Sequence, residues 1–309
     1  MIARPSRVDW LLLVALGFMW GTSYVFIKIG VETLPTFTLI AARLGIGLTI
    51  LATVVFVARE PLPRSPRIYG HLVVMAVINI VLPFYLITTA ERSVASALAA
   101  ILNGAVPLFV IVIASLFLHD EPITVNRLVG LIVGYAGVVI LVSRSLGLAG
   151  GESSLVGELA LLGSTLAYAA GAVYARRNVR GLRPMIPALF QVGFAFIIVC
   201  VMAVLFEDPL SVAWTPPAIG SVVWLGILGS GLAYLVNFRL LSRIGATRTS
   251  LVAYLLPIIG IVSGAIVFGE TVDARVLLGT GLVFAGVALV NSRYGQRRLF
   301  GRGAPHIQS

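Results

Sequence analysis

The sequence predicts an all-α integral membrane protein: ten transmembrane helices arranged as two inverted five-helix repeats. Three observations carry that expectation. Hydrophobic residues make up 59% of the 309 positions and charged residues 11%, with a mean hydropathy of +1.04, far outside the range of soluble domains. The apolar residues gather into ten long runs, and a unit of five runs occurs twice.

A helix needs ~20 apolar residues to cross ~30 Å of hydrocarbon. Spans are expected at roughly 10–30, 37–58, 70–89, 94–117, 127–143, 155–175, 186–206, 218–238, 249–268 and 275–292. The runs are continuous rather than alternating, which argues against a β-barrel. The first follows Arg4 and Arg7 but has no small-x-small cleavage site behind it, so it is read as a retained span rather than a signal peptide. Gly150 and Gly151 open a polar stretch through Ser154 that links the halves. The expected units are therefore a first repeat over 14–143, a second over 155–292, and a basic cytoplasmic tail over 293–309.

The repeat is clearest between Glu121–Val138 and Glu270–Val287. Glu121, Leu128, Gly130, Ala136, Gly137 and Val138 recur 149 positions later as Glu270, Leu277, Gly279, Ala285, Gly286 and Val287. Upstream, Trp20 and Lys28 answer to Tyr168 and Arg176 at an offset of 148, and Pro107 answers to Pro257 at 150. An odd number of crossings starts the second unit on the opposite face of the bilayer, so the copies are expected to be inverted. Inverted repeats build many transporters, with the binding site near the midplane between the halves.

Orientation follows from the basic residues. With the N-terminus inside, 17 of the 22 Lys and Arg residues fall in cytoplasmic segments and 4 in outer loops, while Arg43 lies within a span. The positive-inside rule then puts both termini in the cytoplasm of a cell whose plasma (inner) membrane the chain crosses. The net charge of +10 reflects this excess. It does not imply nucleic acid, because no basic run is interleaved with exposed aromatics. The lone Cys200 excludes an internal disulfide and is read as a small core residue.

Trp20-Gly21-Thr22-Ser23 leading to Lys28, then Arg43 early in the second span, resembles the opening of EamA-type proteins of the drug/metabolite transporter superfamily. Gly245-Ala246-Thr247-Arg248, Pro257 and Gly269-Glu270 extend the resemblance over ~14–291, while Leu118-His119-Asp120-Glu121 departs from the family's Gly-Glu. The resemblance implies export or exchange of small metabolites such as amino acids, through a central cavity between the halves by alternating access. The expected partners are a small-molecule substrate and the lipid bilayer, with no nucleic acid, metal or cofactor. The sequence carries no mark of an oligomeric state.

Polar residues inside spans are costly and usually face a cavity or a partner helix. Asn79, Asn103 and Asn237 are the most polar uncharged groups in their spans. Each is read as cavity lining, Asn237 least of the three, or as a hydrogen bond that glues helices. Trp20, Tyr24, Tyr85, Tyr168 and Tyr234 lie within spans rather than at their ends. Trp20 and Tyr24 share a helix face flanked by Ser23, and Trp20 with Tyr168 could clamp an apolar moiety; packing is the alternative reading for each. Trp10, Trp214 and Trp224 are read as belt or packing residues. Pro107 and Pro257 fall midway along spans four and nine and are candidate hinges or static kinks.

Arg43 either snorkels toward the outer interface or draws an anionic substrate group, and snorkelling is the preferred reading, as it is for Lys28. Glu121 and Glu270 stand before the short spans five and ten, where acids complement helix dipoles. All twelve acids fall in loops or at span ends, so no buried carboxylate is expected. Exchange or facilitated export then fits better than proton coupling, and pH gradients should matter little.

An enzyme is not expected. His71, His119 and His306 show no paired ligand spacing, there is no HExxH, Walker or GxSxG motif, and Gly229-Ser230-Gly231 is read as helix packing. The alternatives to a transporter are an intramembrane enzyme and a non-transporting membrane scaffold.

Overall fold

The computed structural model describes residues 6–118, 123–143, 154–179, 181–183, 185–291 and 298–300. Helix α1 (Arg7–Gly21) starts at a capping box, in which Asp9 N donates to Ser6 Oγ at 3.2 Å and Ser6 N donates to Asp9 Oδ2 at 2.9 Å. Those bonds satisfy two amides that the first turn leaves open. The path pauses at Thr22 and continues as α2 (Ser23–Val31), then α3 (Thr36–Val57). Helices α4 (Pro66–Ala76) and α5 (Leu82–Ala90) are joined without a break by a π-helical turn, Val77–Val81. Next come α6 (Ser96–Asn103), α7 (Val106–Phe117) and α8 (Val125–Val142).

The second half runs through α9 (Leu155–Asn178), α10 (Met185–Phe206) and α11 (Pro216–Trp224). A longer π-helical stretch, Leu225–Leu232, leads into α12 (Ala233–Ile244), followed by the short α13 (Ala246–Thr249), α14 (Val252–Phe268) and α15 (Ala274–Asn291). A two-residue strand, Ile123–Thr124, pairs antiparallel with Arg298–Phe300. Among the described residues, 8 helical runs are long and apolar enough to cross a membrane, and Val252–Phe268 and Ala274–Val290 are two shorter apolar helices. Their positions follow the ten apolar runs of the sequence to within a few residues, α12 extending furthest beyond.

The halves interlock instead of packing as separate bodies. Helix α3 lies on α10 and α8 on α15. Helix α1 packs on α14 and α12, while α9 receives α5, α6 and α7. The α8–α15 contact is the most extensive, and glycines make it close: a Cβ at Gly137 would lie 2.6 Å from Gly279 O, and one at Gly130 would lie 2.6 Å from Gly286 O. Lipid tails are as apolar as side chains, so helices in a membrane associate through such close packing rather than by hydrophobic burial.

Acids at span ends tie one half to the other. Glu207, after α10, accepts from Phe37 N and Thr38 N at 2.8 Å each, closing the open amides of α3. Reciprocally, Glu60, after α3, meets Arg183, before α10, at 2.7 Å. Glu270 acts in the same way but not on the helix that follows it: its oxygens accept from Ser96 N and Ala97 N at 2.9 Å each, at the start of α6. Glu121 lies outside the described residues. Asp9, 1% exposed, meets Arg243 Nε at 3.2 Å at the opposite end of the bundle.

Several expectations need correction. Pro107 stands just beyond an interruption of its span at Gly104–Ala105, in the first turn of α7, where its missing N–H has no partner to lose, so the bend falls ahead of the proline and not within a continuous helix. Pro257 does lie inside α14, and a Cβ at Gly104 would meet its ring at 2.8 Å, so the break in one span receives the proline of the other. Cys200 is only half-buried. Lys28 does not snorkel freely, because its Nζ donates to Val94 O at 2.7 Å and stands 5.9 Å from the Phe268 ring.

Candidate functional site

The π-helical stretch Leu225–Leu232 contains Gly229-Ser230-Gly231, and this is where the polar interior of the molecule collects. A π turn widens the helix and recurs at functional sites in place of regular geometry. Its partner is Arg43 on α3. The Arg43 side chain is 3% exposed, its guanidinium lies 4.3 Å from the Phe84 ring centroid, and its Nε donates to Ser230 Oγ at 3.3 Å. Among the described residues no carboxylate reaches salt-bridge distance of it. The snorkelling expectation is therefore wrong: Arg43 turns inward, held by an aromatic face and by the hydroxyl that the π turn presents. Gly229 makes room for this, since a Cβ there would stand 2.9 Å from Ser23 Oγ and 3.2 Å from a terminal nitrogen of Arg43.

Aromatic residues surround the cation. Trp20, at the end of α1, donates from Nε1 to Gly229 O at 3.3 Å and meets Tyr234 edge-on at 6.4 Å between ring centroids. Ser23 is buried and donates to Met19 O at 2.8 Å. Tyr24 is buried in the main apolar core, while Tyr168 is half-buried and bridges the two largest core clusters. Tyr24, Tyr168 and Tyr234 all lie within electrostatic reach of Arg43. Five of the expected cavity residues, with Arg43, thus converge from α1, α2, α3, α9 and α12.

A second polar contact answers the first. Asn79 sits in the other π turn, Val77–Val81, and its Nδ2 donates to Gln191 Oε1 at 3.2 Å. Its side chain fills the space left by Gly171 of α9, which has no Cβ to contest it. At the offset of 148 that relates Trp20 to Tyr168, Arg43 answers to Gln191. In each half, then, a polar residue of the second span reaches the π turn of the other half: Arg43 to Ser230, Gln191 to Asn79.

Other expected residues stand apart. Asn103 is buried, donating to Ala99 O at 3.3 Å and accepting from Ser164 Oγ at 3.3 Å, so its amide joins α6 to α9. Tyr85 is 38% exposed and stacks on Phe37 at 5.1 Å, turned away from Arg43. The reason is rotational: one residue away, Phe84 takes the inward face. Asn237 is half-buried on α12. Trp224 packs on Phe26 at 4.4 Å and donates to Thr22 Oγ1 at 3.2 Å, in keeping with a packing role.

Buried carboxylates are present after all. Glu91 and Glu158 are each 1% exposed although both stand at span ends. Their neighbours on other helices cover them, which linear position cannot register. Sequence reasoning also passed over Phe84 and Gln191 and read Ser230 only as helix packing. The repeat offset pointed to Gln191; nothing in the local sequence marked Phe84 or the π turns.

The family model of the EamA-like transporter family matches residues 9–143 and again 155–292. The chain is 23% identical over 287 residues to the uncharacterized transporter YoaV of Bacillus subtilis, covering 93% of this chain and 98% of the relative. It is 27% identical over 285 residues to the uncharacterized inner membrane transporter YedA of Escherichia coli K12, covering 90% of this chain and 89% of the relative. A solved crystal structure superposes with a TM-score of 0.66 at 20% identity, covering 93% of this chain and 97% of that one. At that identity the likeness speaks to the fold alone.

Proposed function

Because the chain belongs to the EamA-like transporter family, we propose that it exports or exchanges a small metabolite such as an amino acid, by alternating access at the Arg43–aromatic cluster between its two halves. Its multi-pass membrane character and its relatives named as transporters exclude neither direction of movement. The observation that carries the reading is Arg43 itself. A charged side chain withdrawn from water costs several kcal/mol, and one inside a membrane protein marks a substrate or ion path by default. Here the charge lies among Trp20, Tyr168 and Tyr234, with no described counter-ion beside it. An amino acid brings both parts that such a place recognises: a carboxylate for the guanidinium and a side chain for the rings.

The reciprocal contacts of α3 with α10 and of α8 with α15 support a pseudo-twofold arrangement of ten spans, five in each half. Interrupted helices at Thr22, at Gly104–Ala105 and at the two π turns supply places where spans can bend, and Pro257 inside α14 adds another. With both termini in the cytoplasm, the end of the bundle that carries Lys28, Glu91 and Glu270 faces outward. Reporter fusions at Gly150 and Ser309 should then read outside and inside; the same reading at both would refute five spans per half.

Transport is tested with purified protein in liposomes and a panel of radiolabelled amino acids. Wild type should take up or exchange at least one of them. Trp20→Ala and Tyr168→Ala should each reduce transport per folded molecule about tenfold, the equivalent of ~1.4 kcal/mol. Undiminished transport in both variants would remove the site from this cluster.

A further inference from the structure

Glu91 is a feature the transport reading does not use. It caps the C-terminus of α5, is 1% exposed, and neither carboxylate oxygen has a hydrogen-bond partner among the described residues. The titratable and charged groups around it can be named element by element. From α2 come Tyr24 and Lys28, and from α3 Arg43. Glu270 approaches from the connection between α14 and α15, with both oxygens already engaged by the start of α6. Helix α9 lays Gly157 against Ala90 and Val94 and carries Glu158 one position on. The π turn Val77–Val81 brings no titratable group, and the neighbouring Arg92 is turned to Leu34 O at 3.1 Å.

This enclosure is built from contacts that would part if the end of the bundle opened. Lys28 holds Val94 O at 2.7 Å, and Glu270 holds Ser96 and Ala97. They link the first span and the α14–α15 connection to the start of the fourth span, just beyond Glu91. A carboxyl at their centre, without a hydrogen bond of its own, is sheltered only while they hold.

We propose that Glu91 is a proton-binding site whose protonation is tied to closure of this end of the bundle. In the closed arrangement described here Glu91 is a neutral acid. When the end opens, water reaches it, the proton passes to water, and the remaining carboxylate is stabilised by solvent and the Lys28 ammonium. Reclosing takes one proton back, so each opening exchanges one proton and no other bond changes.

Burial pushes the Glu91 carboxyl well above the usual carboxylate range, with Lys28 pulling the other way and Glu270 adding to the rise. A raised value in the closed form means that closure is fully favoured below the ordinary carboxylate value, and that the advantage is lost as pH rises through the raised one. Proton gradients should therefore act on transport, contrary to the expectation drawn from the linear positions of the acids.

The proposal rests on the alternating-access reading above, and its test separates the two. Infrared difference spectra of the full-length protein in liposomes, titrated in pH without any substrate, should show a protonated-carboxyl band that persists above the ordinary carboxylate range. That band should fade at higher pH, be absent in Glu91→Gln, and return shifted in Glu91→Asp. Identical spectra in wild type and Glu91→Gln across the range would overturn the proposal, whatever is found about transport. With the radiolabelled amino-acid panel, an imposed pH gradient should drive accumulation by wild type but not by Glu91→Gln. Equal gradient-driven accumulation by both would also overturn it. If no amino acid moves in any protein while the band behaves as expected, the substrate reading fails and the proton site stands.

Discussion

Gly286→Ala should lower the melting temperature of the detergent-purified protein markedly, while Gly281→Ala, on the same helix, should leave it unchanged or raise it. A Cβ at Gly286 would lie 2.5 Å from Gly134 Cα and N and 2.6 Å from Gly130 O. All three are backbone atoms of α8, so no side chain can rotate away, and the two helices would have to separate along their whole contact. Overpacking of a close interface costs typically ~1–3 kcal/mol and sometimes more, and here the lost contact is the most extensive between any two helices. Gly281 has nothing within 4 Å of an added Cβ. Alanine there gains up to ~1 kcal/mol of helix propensity. Thermal unfolding of the two variants side by side is decisive, because equal shifts would mean that α8 and α15 do not meet at Gly286.

The second large effect is expected at Arg43. Arg43→Gln keeps a donor near Ser230 but removes the charge, and should reduce transport of an anionic or zwitterionic substrate by roughly 10–100-fold. That factor corresponds to the ~1.5–3 kcal/mol carried by a hydrogen bond to a charged group. Arg43→Lys should not restore it. The planar guanidinium is stacked 4.3 Å from Phe84 while its Nε engages Ser230, and an ammonium cannot do both. Stability should move the other way: relieving a buried cation of its desolvation leaves Arg43→Gln as stable as wild type or more so. A variant that unfolds but retains its specific transport rate per folded molecule would show that Arg43 is structural.

Much of the fold could be read along the chain because a bilayer imposes a one-dimensional rule. Any segment crossing hydrocarbon must satisfy its own backbone and present apolar side chains, so span positions follow from composition, as Thr36–Val57 and Met185–Phe206 show. Internal repetition was legible for a similar reason, since equivalent packing demands leave equivalent residues: the α8–α15 glycines recur in register. Trp20 and Tyr168 were found by the same route.

Rotation about each helix axis was not legible. In a soluble helix a polar stripe marks the outside, but here the lipid-facing and core-facing residues are equally apolar. Phe84 and the neighbouring Tyr85 look alike in sequence, yet one lies under Arg43 and the other stacks on Phe37 at the periphery. The same ambiguity hid the inward turn of Arg43 and left Asn103 open between lining a cavity and joining helices, of which the structure shows the bond between α6 and α9.

The amino-acid order by itself thus determined that this chain crosses a membrane, about where each apolar span lies, and which residues recur between its first and second halves, because hydrocarbon and repetition act on the chain locally. Only the tertiary structure decided which side chains meet: that π turns in two spans receive Arg43 and Gln191 from the opposite halves, and that Glu91, at the end of a helix, is covered by neighbours distant in sequence. Burial belongs to an assembly of helices, and no single span contains the information to specify it.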